Sequence, residues 1–372
     1  MNINRRDFIG LSSAGLMSLA VGTGCSGIRR GDLSPAANDG AIMKKLGKDR
    51  YDILYHASLA PSPHNTQPWL ITIRDIDNWV LGADPARRMA STDPLNHRCV
   101  LSLGCFIENL SLAAEARGFS IKLRLLTGDF FGEEIAAIQL VKAPVKPYPL
   151  DRIASRSTVK KGLLNKPLSA EHVEKLSGIF NGRFHYFPRG DWHARCIGEG
   201  AVRAFQSWLD DETAQKEHVQ WLRIANREAA AKRDGLTTEG MGIKGVMGLF
   251  VRSFLSNEDF SGSFMKKETM KHVRPMINEG AGYVIITGFG ETVAGMLETG
   301  RRFERMALLA RELNIGIQPL TQMLEMKPGR AEIRENHPSR IDPQLILRVG
   351  YVDGYPVPVT LRRPLSAFVS FA

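Results

Sequence analysis

Cysteine is scarce in this sequence: Cys25, Cys99, Cys105 and Cys196 are the four present. Cys99 and Cys105 fall six residues apart on an expected helix, a rise of about 9 Å that is too long for a disulfide. No disulfide framework is expected. Metal-ligand spacing is equally thin. His193 and Cys196 stand i, i+3 without a second pair, which argues against a metal centre. No G-x-S-x-G is present, which argues against a serine hydrolase. Gly288-Phe-Gly-Glu-Thr-Val-Ala-Gly295 lies between an expected strand and helix. Its third glycine is wrongly spaced for a dinucleotide loop, and the Lys-Ser/Thr of a P-loop is missing, so it reads as a glycine turn. The net charge is +10, yet no basic run reaches five residues. There is no helix-turn-helix, zinc-finger or RNA-binding signature, so nucleic acid is not an expected partner. The positive excess suits anionic cofactors and a basic surface.

What is present is an ordinary globular composition, 43% hydrophobic and 24% charged over 372 residues, long enough for one large core or two smaller ones. The first residues, Asn4-Arg-Arg-Asp-Phe-Ile-Gly10, precede an apolar run from Leu11 to Val21. That run is too short to span a bilayer. With its charged head it reads as an export signal, residues 1–25. Arg5 and Arg6 with Asp7, Phe8 and Ile9 resemble a twin-arginine signal, which implies the twin-arginine translocase as a partner and a location outside the cytoplasm, periplasmic or membrane-anchored. Cys25 after small residues hints at lipoprotein processing and a membrane anchor. Residues 26–47 are rich in Gly, Ser, Pro, Ala and Asn and read as a tether.

Structure is expected to start near Lys48. Strands are expected at 69–74, 79–83, 120–126 and 134–142, with a helix from Val100 to Arg117 stopped by Gly118. Lys142 to Pro149 reads as a linker. A second half, 150–372, carries a helix capped by Ser169, strands at 183–187, 283–287 and 345–349, and a long helix ending near Leu313. Residues 190–280 form a large insertion, a packed subdomain or a lid. An internal repeat joins the halves. Leu103–Ile121 aligns without gaps on Thr299–Ile317, matching Gly104, Glu108, Leu112, Ala114 and Ile121 to Gly300, Glu304, Leu308, Ala310 and Ile317. Two amphipathic helices can share such a pattern by accident, but an identical glycine and glutamate at one offset indicate duplication.

The segment Ala60-Pro-Ser-Pro-His-Asn-Thr-Gln-Pro-Trp69 cannot be helix, because its prolines fix φ and remove donors. It holds Ser62, Asn65 and Gln67 on a stiff loop before a β-branched strand. That placement suits recognition of a flat heterocycle, although turn-rich loops are commonly only turns. Ser155-Arg-Ser-Thr-Val-Lys-Lys161 alternates basic and hydroxyl residues, a chemistry that fits a phosphate cradle as well as a solvated basic loop.

The first segment resembles the A-P-S-x-x-N-x-Q-P-W signature of the nitroreductase superfamily of FMN-dependent oxidoreductases, and the second resembles that family's Arg-rich FMN motif. The resemblance covers residues 50–145 and 150–365. It implies an α+β nitroreductase-like sheet with flanking helices, built here from two fused degenerate repeats as a single-chain pseudo-dimer. This arrangement is similar to the Acg-like branch, in which a lid covers the flavin. Each half carries only one of the two motifs, so one complete FMN site per chain is expected. The resemblance implies flavin contacts at Pro61, Ser62, Asn65 and Gln67, and at Arg156, Ser157, Thr158 and Lys160. In Gly316-Ile-Gln-Pro-Leu-Thr-Gln322, the backbone of Pro319, Leu320 and Thr321 stands where the family approaches flavin N5, although Thr321 and Gln322 depart from the acidic or glycine residues usual there. Arg362 or Arg363 of Thr360-Leu-Arg-Arg-Pro364 would complete the set. The implied activity is ping-pong hydride transfer from NAD(P)H to an electron-poor small molecule, nitroaromatic or quinone-like. The flavin carries that chemistry and needs no protein acid or nucleophile. The alternative is a flavin-sequestering protein closed by the 190–280 lid.

Overall fold

The computed structural model describes residues 26–33, 39–337 and 341–372. Arg5, Arg6, the Leu11–Val21 run and Cys25, on which the export reading rests, lie outside the described residues. The first half opens with α1 (Asp39–Leu46) and α2 (Lys48–Ala57), joined at Gly47 with φ +77. The expected 26–47 tether is therefore corrected: its second part is a docked helix. Ile42 and Leu46, one turn apart, are buried. The buried Asp39 carboxylate accepts hydrogen bonds from Ser366 N at 3.0 Å and Ser366 Oγ at 2.9 Å. Linker-like composition gives way here to apolar spacing and to a partner more than three hundred residues away.

The first half continues through β1 (Trp69–Ile73), β2 (Asn78–Ala83), α3 (His97–Ala116), β3 (Phe119–Leu125) and β4 (Glu134–Lys142). The second opens with α4 (Leu150–Ser155), α5 (Ala170–Gly178) and β5 (Phe184–Pro188). Ser169 caps α5 as expected, its Oγ accepting from His172 N at 3.3 Å. The insertion then holds α6 (Trp192–Asp210), α7 (Glu212–Gln220), β6 (Leu222–Arg223), α8 (Asn226–Lys232), β7 (Leu236–Thr237), α9 (Thr238–Met241), α10 (Gly245–Phe254) and α11 (Ser263–Ile277). After it come β8 (Gly282–Ile286), α12 (Val293–Glu312), β9 (Ile315–Pro319), α13 (Gln322–Glu325), α14 (Lys327–Asn336), β10 (Leu345–Tyr351) and β11 (Val369–Phe371).

The architecture is α+β, with a mixed five-stranded sheet and an antiparallel four-stranded sheet, helices packed around them, and a short parallel pair β6-β7 within the insertion. The first sheet runs β11-β1-β2-β4-β3 and the second β5-β8-β10-β9. Setting β11 aside, the two are one topology used twice. A hairpin is followed by a long helix, and the next two strands pair back in swapped order. The duplication seen in nineteen residues of sequence thus extends over both sheets. The insertion occupies residues 189–281, between β5 and β8. Its counterpart in the first half is the short turn 74–77 between β1 and β2. β11 crosses from the second half and pairs in parallel with β1, Ile71 opposite Val369, so the second half lends an arm to the first.

The repeated helices α3 and α12 pack on each other through equivalent residues. A Cβ at Gly104 would collide with the Leu297 carbonyl and stand 3.0 Å from Gly300 Cα; a Cβ at Gly300 would collide with the Leu101 carbonyl and stand 3.0 Å from Gly104 Cα. Leu101 and Leu297 are themselves equivalents at the repeat offset. Each glycine is required because its counterpart's backbone lies against it. α3 is long and apolar enough to cross a membrane by length and composition, but it is largely buried at the centre of a core shared by both halves.

Candidate functional site

The Pro-rich loop is more constrained than its composition reveals. His64, Asn65 and Gln67 have φ values of 48°, 55° and 53°. Non-glycine residues seldom adopt this left-handed region, and a cluster of them persists only where the surroundings over-determine the backbone. Those surroundings can be named. Ser62 Oγ accepts from Gln67 N at 2.9 Å. The Asn65 amide donates to Gly235 O at 3.2 Å and Leu361 O at 3.1 Å, and its carbonyl accepts from Arg362 Nη1 at 3.0 Å. Gln67 Nε2 donates to Arg233 O at 3.0 Å, while its Oε1 accepts from Arg363 N at 2.8 Å. The loop therefore fastens the C-terminal arm on one side and the insertion on the other. Pro61 is half-buried at its edge.

Beneath the loop lies a cationic centre. Arg362 is buried and donates to Leu59 O at 2.9 Å. Arg156, also buried, sets its Nε 3.2 Å from Glu304 Oε1, too poorly aligned for a hydrogen bond. Arg30 reaches the same region and donates to Ala154 O. Burial lowers the Arg362 pKa well below its ordinary value, and the charges of Arg30 and Arg156 add to the effect. Burial and Arg156 likewise lower Arg30. Burial raises the Glu304 carboxyl, against the pull of Arg156. Asn109 abuts that carboxyl. Asn109 favours the charged form of that carboxyl, yet among the described residues no hydrogen bond of good geometry reaches the Asn109 amide atoms, the Glu304 oxygens, Arg156 Nε or Arg362 Nε. Unpaired buried polar atoms each cost about 1–3 kcal/mol, and several at one point call for a ligand or ordered solvent. Two guanidinium groups, Arg156 and Arg362, at a buried carboxyl fit an oxyanion such as a phosphate, to which a neutral Glu304 can donate.

A second cluster borders the loop on its other side. His64 Nε2 and His218 Nδ1 are 2.9 Å apart, joining the loop to α7 of the insertion. Burial lowers His64 well below the usual imidazole range, helped by His218, Arg98 and Lys160, and burial with Lys160 lowers His218 to about 4. Lys160 Nζ donates to Gly240 O at 2.9 Å, and burial lowers its pKa to about 8. Arg98 pairs with Glu325, against whose carboxyl Thr321 lies.

The sequence-derived residues thus divide. Asn65, Arg156 and Arg362 meet at the cationic centre. Lys160 instead faces the histidine pair. Ser157 and Thr158 do not join Arg156: Ser157 Oγ donates to Pro356 O at 3.3 Å and Thr158 is exposed. Of the two C-terminal arginines, Arg362 enters the centre. Arg363, also buried, turns instead to Gln67 O and Ala367 O; burial, then Arg87, lowers its pKa to about 10. Pro319 closes β9, and the Leu320 N–H is committed to Ile346 O at 2.8 Å, so Leu320 offers no free backbone donor. Sequence reasoning missed Arg30, which sat in the supposed tether. It also missed His64, at an unspecified position within the loop signature, and His218, Arg98 and Glu325, which have no motif. Glu304 was visible as half of the repeated pair but had no role assigned.

The insertion lies directly on the loop. Besides its bonds to Asn65 and Gln67, Asp234 accepts from Arg87 at 2.8 Å and Arg223 at 2.8 Å. The cavity that reaches Leu320, walled by Phe205 and Met276 of the insertion, measures about 20 Å³.

No family model matches the sequence, and no curated protein does. Among solved structures, this chain is similar to a nitroreductase-like protein from Bacillus cereus at 10% identity and a TM-score of 0.34, covering 60% of this chain and 95% of the other. It is similar to the FMN-dependent nitroreductase NfnB of Mycobacterium smegmatis, solved with NADPH, at 12% identity and 0.36, covering 59% and 96%. It is similar to a candidate nitroreductase from Anabaena variabilis at 10% identity and 0.38, covering 92% and 95%.

Proposed function

We propose that this chain is an FMN-binding protein of the nitroreductase type, a single-chain pseudo-dimer with one site per chain made by both halves. The observation that carries the reading is the placement of buried Arg156 and Arg362 beside Glu304 and Asn109, with Arg30 close enough to both arginines to act on their charge, where polar atoms of the described residues lack partners. Arg156 and Arg362 would hold the phosphate, with Glu304 in its neutral form donating to it. The 61–67 loop would wall the ring, and Lys160 would place a positive charge near it. When bound, FMN supplies two-electron redox chemistry between NAD(P)H and an electron-poor acceptor such as a nitroaromatic or quinone. The residues of the chain bind, orient and exclude water.

A second reading, in which the protein holds flavin without turnover, is favoured by the insertion's grip on the loop and the small cavity beside Leu320. Purified protein should carry about one flavin per chain; a colourless protein that takes up none on reconstitution refutes both readings. Stopped-flow mixing with NADPH separates them. Bleaching of the flavin band, with turnover on added quinone, supports the oxidoreductase. An unreactive flavin supports holding. Export by the twin-arginine route belongs to the same proposal: Arg5→Lys with Arg6→Lys should strand the protein in the cytoplasm, and unchanged fractionation refutes it.

A further inference from the structure

The outer part of the insertion is built as a unit. Leu222, Ile224 and Val251 are buried together, with Leu236 and Met241 packed against them, in a cluster separate from the core beneath α6 and α11. What ties this unit to the 61–67 loop is polar. The Asn65 and Gln67 amides donate to Gly235 O and Arg233 O, and the Gly235 N–H donates to Asn65 O at 3.2 Å. Arg87 bridges Thr66 O and Asp234, both at 2.8 Å. The last tie joins two bases: His64 Nε2 and His218 Nδ1 are 2.9 Å apart. Both histidines are half-buried, so protons from solvent reach them.

A neutral imidazole offers one N–H and one bare nitrogen, so here one ring donates and the other accepts. With both rings protonated, two N–H groups face each other and the bond is lost. A single added proton meets no compensation. Every charge that acts on the pair is positive, Lys160 on both rings and Arg98 of α3 on His64. Glu325 of α13 is paired with Arg98, and the Trp208 ring of α6 lies 5.0 Å from that of His218. Among the described residues no carboxylate acts on either imidazole.

We propose that His64 and His218 form an acid-released latch: neutral, they hold the outer insertion on the 61–67 loop, and proton uptake lets it lift away and uncover the loop. Burial first, then the positive neighbours, keeps His64 below the usual imidazole range and His218 at about 4 against an ordinary 6.5. The released rings, in solvent, take up protons at the ordinary value. The latch is therefore fully held above pH 6.5 and weakens as pH falls toward 4. From His218 alone the opening constant should rise about twentyfold between pH 7 and 5. No flavin takes part, so the inference stands apart from the flavin reading.

Hydrogen exchange of the full chain as purified, at pH 7 and 5 and corrected for the intrinsic pH dependence of amide exchange, reads the opening directly. Amides of residues 233–242 should lose about twentyfold in protection. The loss should be independent of urea below the unfolding transition, because a local opening exposes little surface. Replacing the pair, His64→Gln with His218→Gln, keeps a polar contact that cannot titrate, and protection of 233–242 should then be the same at both pH values. Unchanged protection in the parent overturns the proposal. So does a loss that deepens with urea in step with global unfolding, which would make the pair a contact of the whole fold and no latch. A double variant that keeps the parent's pH response also overturns it. The first two results come from the parent alone, so they decide whether or not the variant folds.

Discussion

Replacing Arg156 by methionine keeps most of the side chain's volume and removes its charge, so it probes the cationic centre with little repacking. A hydrogen bond to a charged group contributes about 1.5–3 kcal/mol, and about 1.4 kcal/mol is a factor of ten in affinity. The structure narrows that range. In the free protein Arg156 already faces Glu304, with Nε 3.2 Å from Oε1, so part of its attraction for an incoming phosphate is offset by the ion pair it leaves. The expected loss is therefore near the lower end, about tenfold in FMN affinity. Riboflavin has the ring without the phosphate and should bind parent and variant alike. Thr158→Ala is the internal control: Thr158 is exposed and apart from Arg156, so FMN affinity should not change. Titration of the flavin-free parent and both variants with each flavin, followed by fluorescence quenching, measures all six constants. Equal losses for FMN and riboflavin in Arg156→Met would show that the side chain supports the fold and not the phosphate. A loss in Thr158→Ala would restore the cradle read from sequence.

Three other outcomes follow from the geometry. His218 is held at about 4 against an ordinary 6.5, so as pH falls from 6.5 toward 4 the unfolded chain gains a proton that the folded chain refuses; stability should drop by on the order of 3 kcal/mol across that window, and His218→Gln should flatten urea midpoints measured between pH 7 and 4.5. Gly300→Ala places a Cβ against the Leu101 carbonyl and Gly104 and should cost about 1–3 kcal/mol by urea unfolding, a neutral result refuting the close helix crossing. Asn65→Ala removes the partner of buried Arg362 and two bonds to Gly235 and Leu361; it should destabilise by about 1–3 kcal/mol and make residues 233–242 more susceptible to limited proteolysis, and unchanged cleavage would show that the loop does not fasten the insertion.

Much of the fold was legible because its signals are local. β1, β2, β3 and β4 lie within a residue or two of the expected strands, since β-branched alternation and flanking turn residues act over a few positions. The repeat could be read because Gly104 and Gly300 are each fixed by the other's backbone. What could not be read depends on distant partners. α1 looked like tether because Asp39 is held by Ser366 across the whole chain. β11 is three residues long and pairs only because the arm crosses to β1. In the site, Arg156 and Asn65 sit in motif-bearing segments, but Ser157 is bonded to Pro356 O, some two hundred residues away, and Thr158 is exposed, which no local pattern shows. His64 and His218 meet through an insertion that no local pattern could position.

The two halves share a topology, so their difference needs a cause, and it lies in two positions of one helix pair. Glu108 and Glu304 are equivalents, both buried. Glu108 is neutralised by Arg301 at 3.3 Å and Arg305 at 2.6 Å, which stand on α12 at the repeat counterparts of Cys105 and Asn109 on α3. On that side Arg301 also pairs with Glu298 at 3.5 Å, so two carboxylates match the two cations, and among the described residues no Glu108 oxygen lacks a partner. On the Glu304 side the same positions carry a thiol and an amide, and positive charge comes instead from Arg156, Arg362 and Arg30, supplied by other segments. Cations brought in from separate segments outnumber their carboxylate there, which is the condition for holding an anion. The insertion grew in the second half alone, where the first keeps a short turn, and it closes over the loop that borders the unbalanced side. The duplicated fold thus concentrates positive charge, unpaired polar atoms and a cover at one site, and leaves the other internally neutralised.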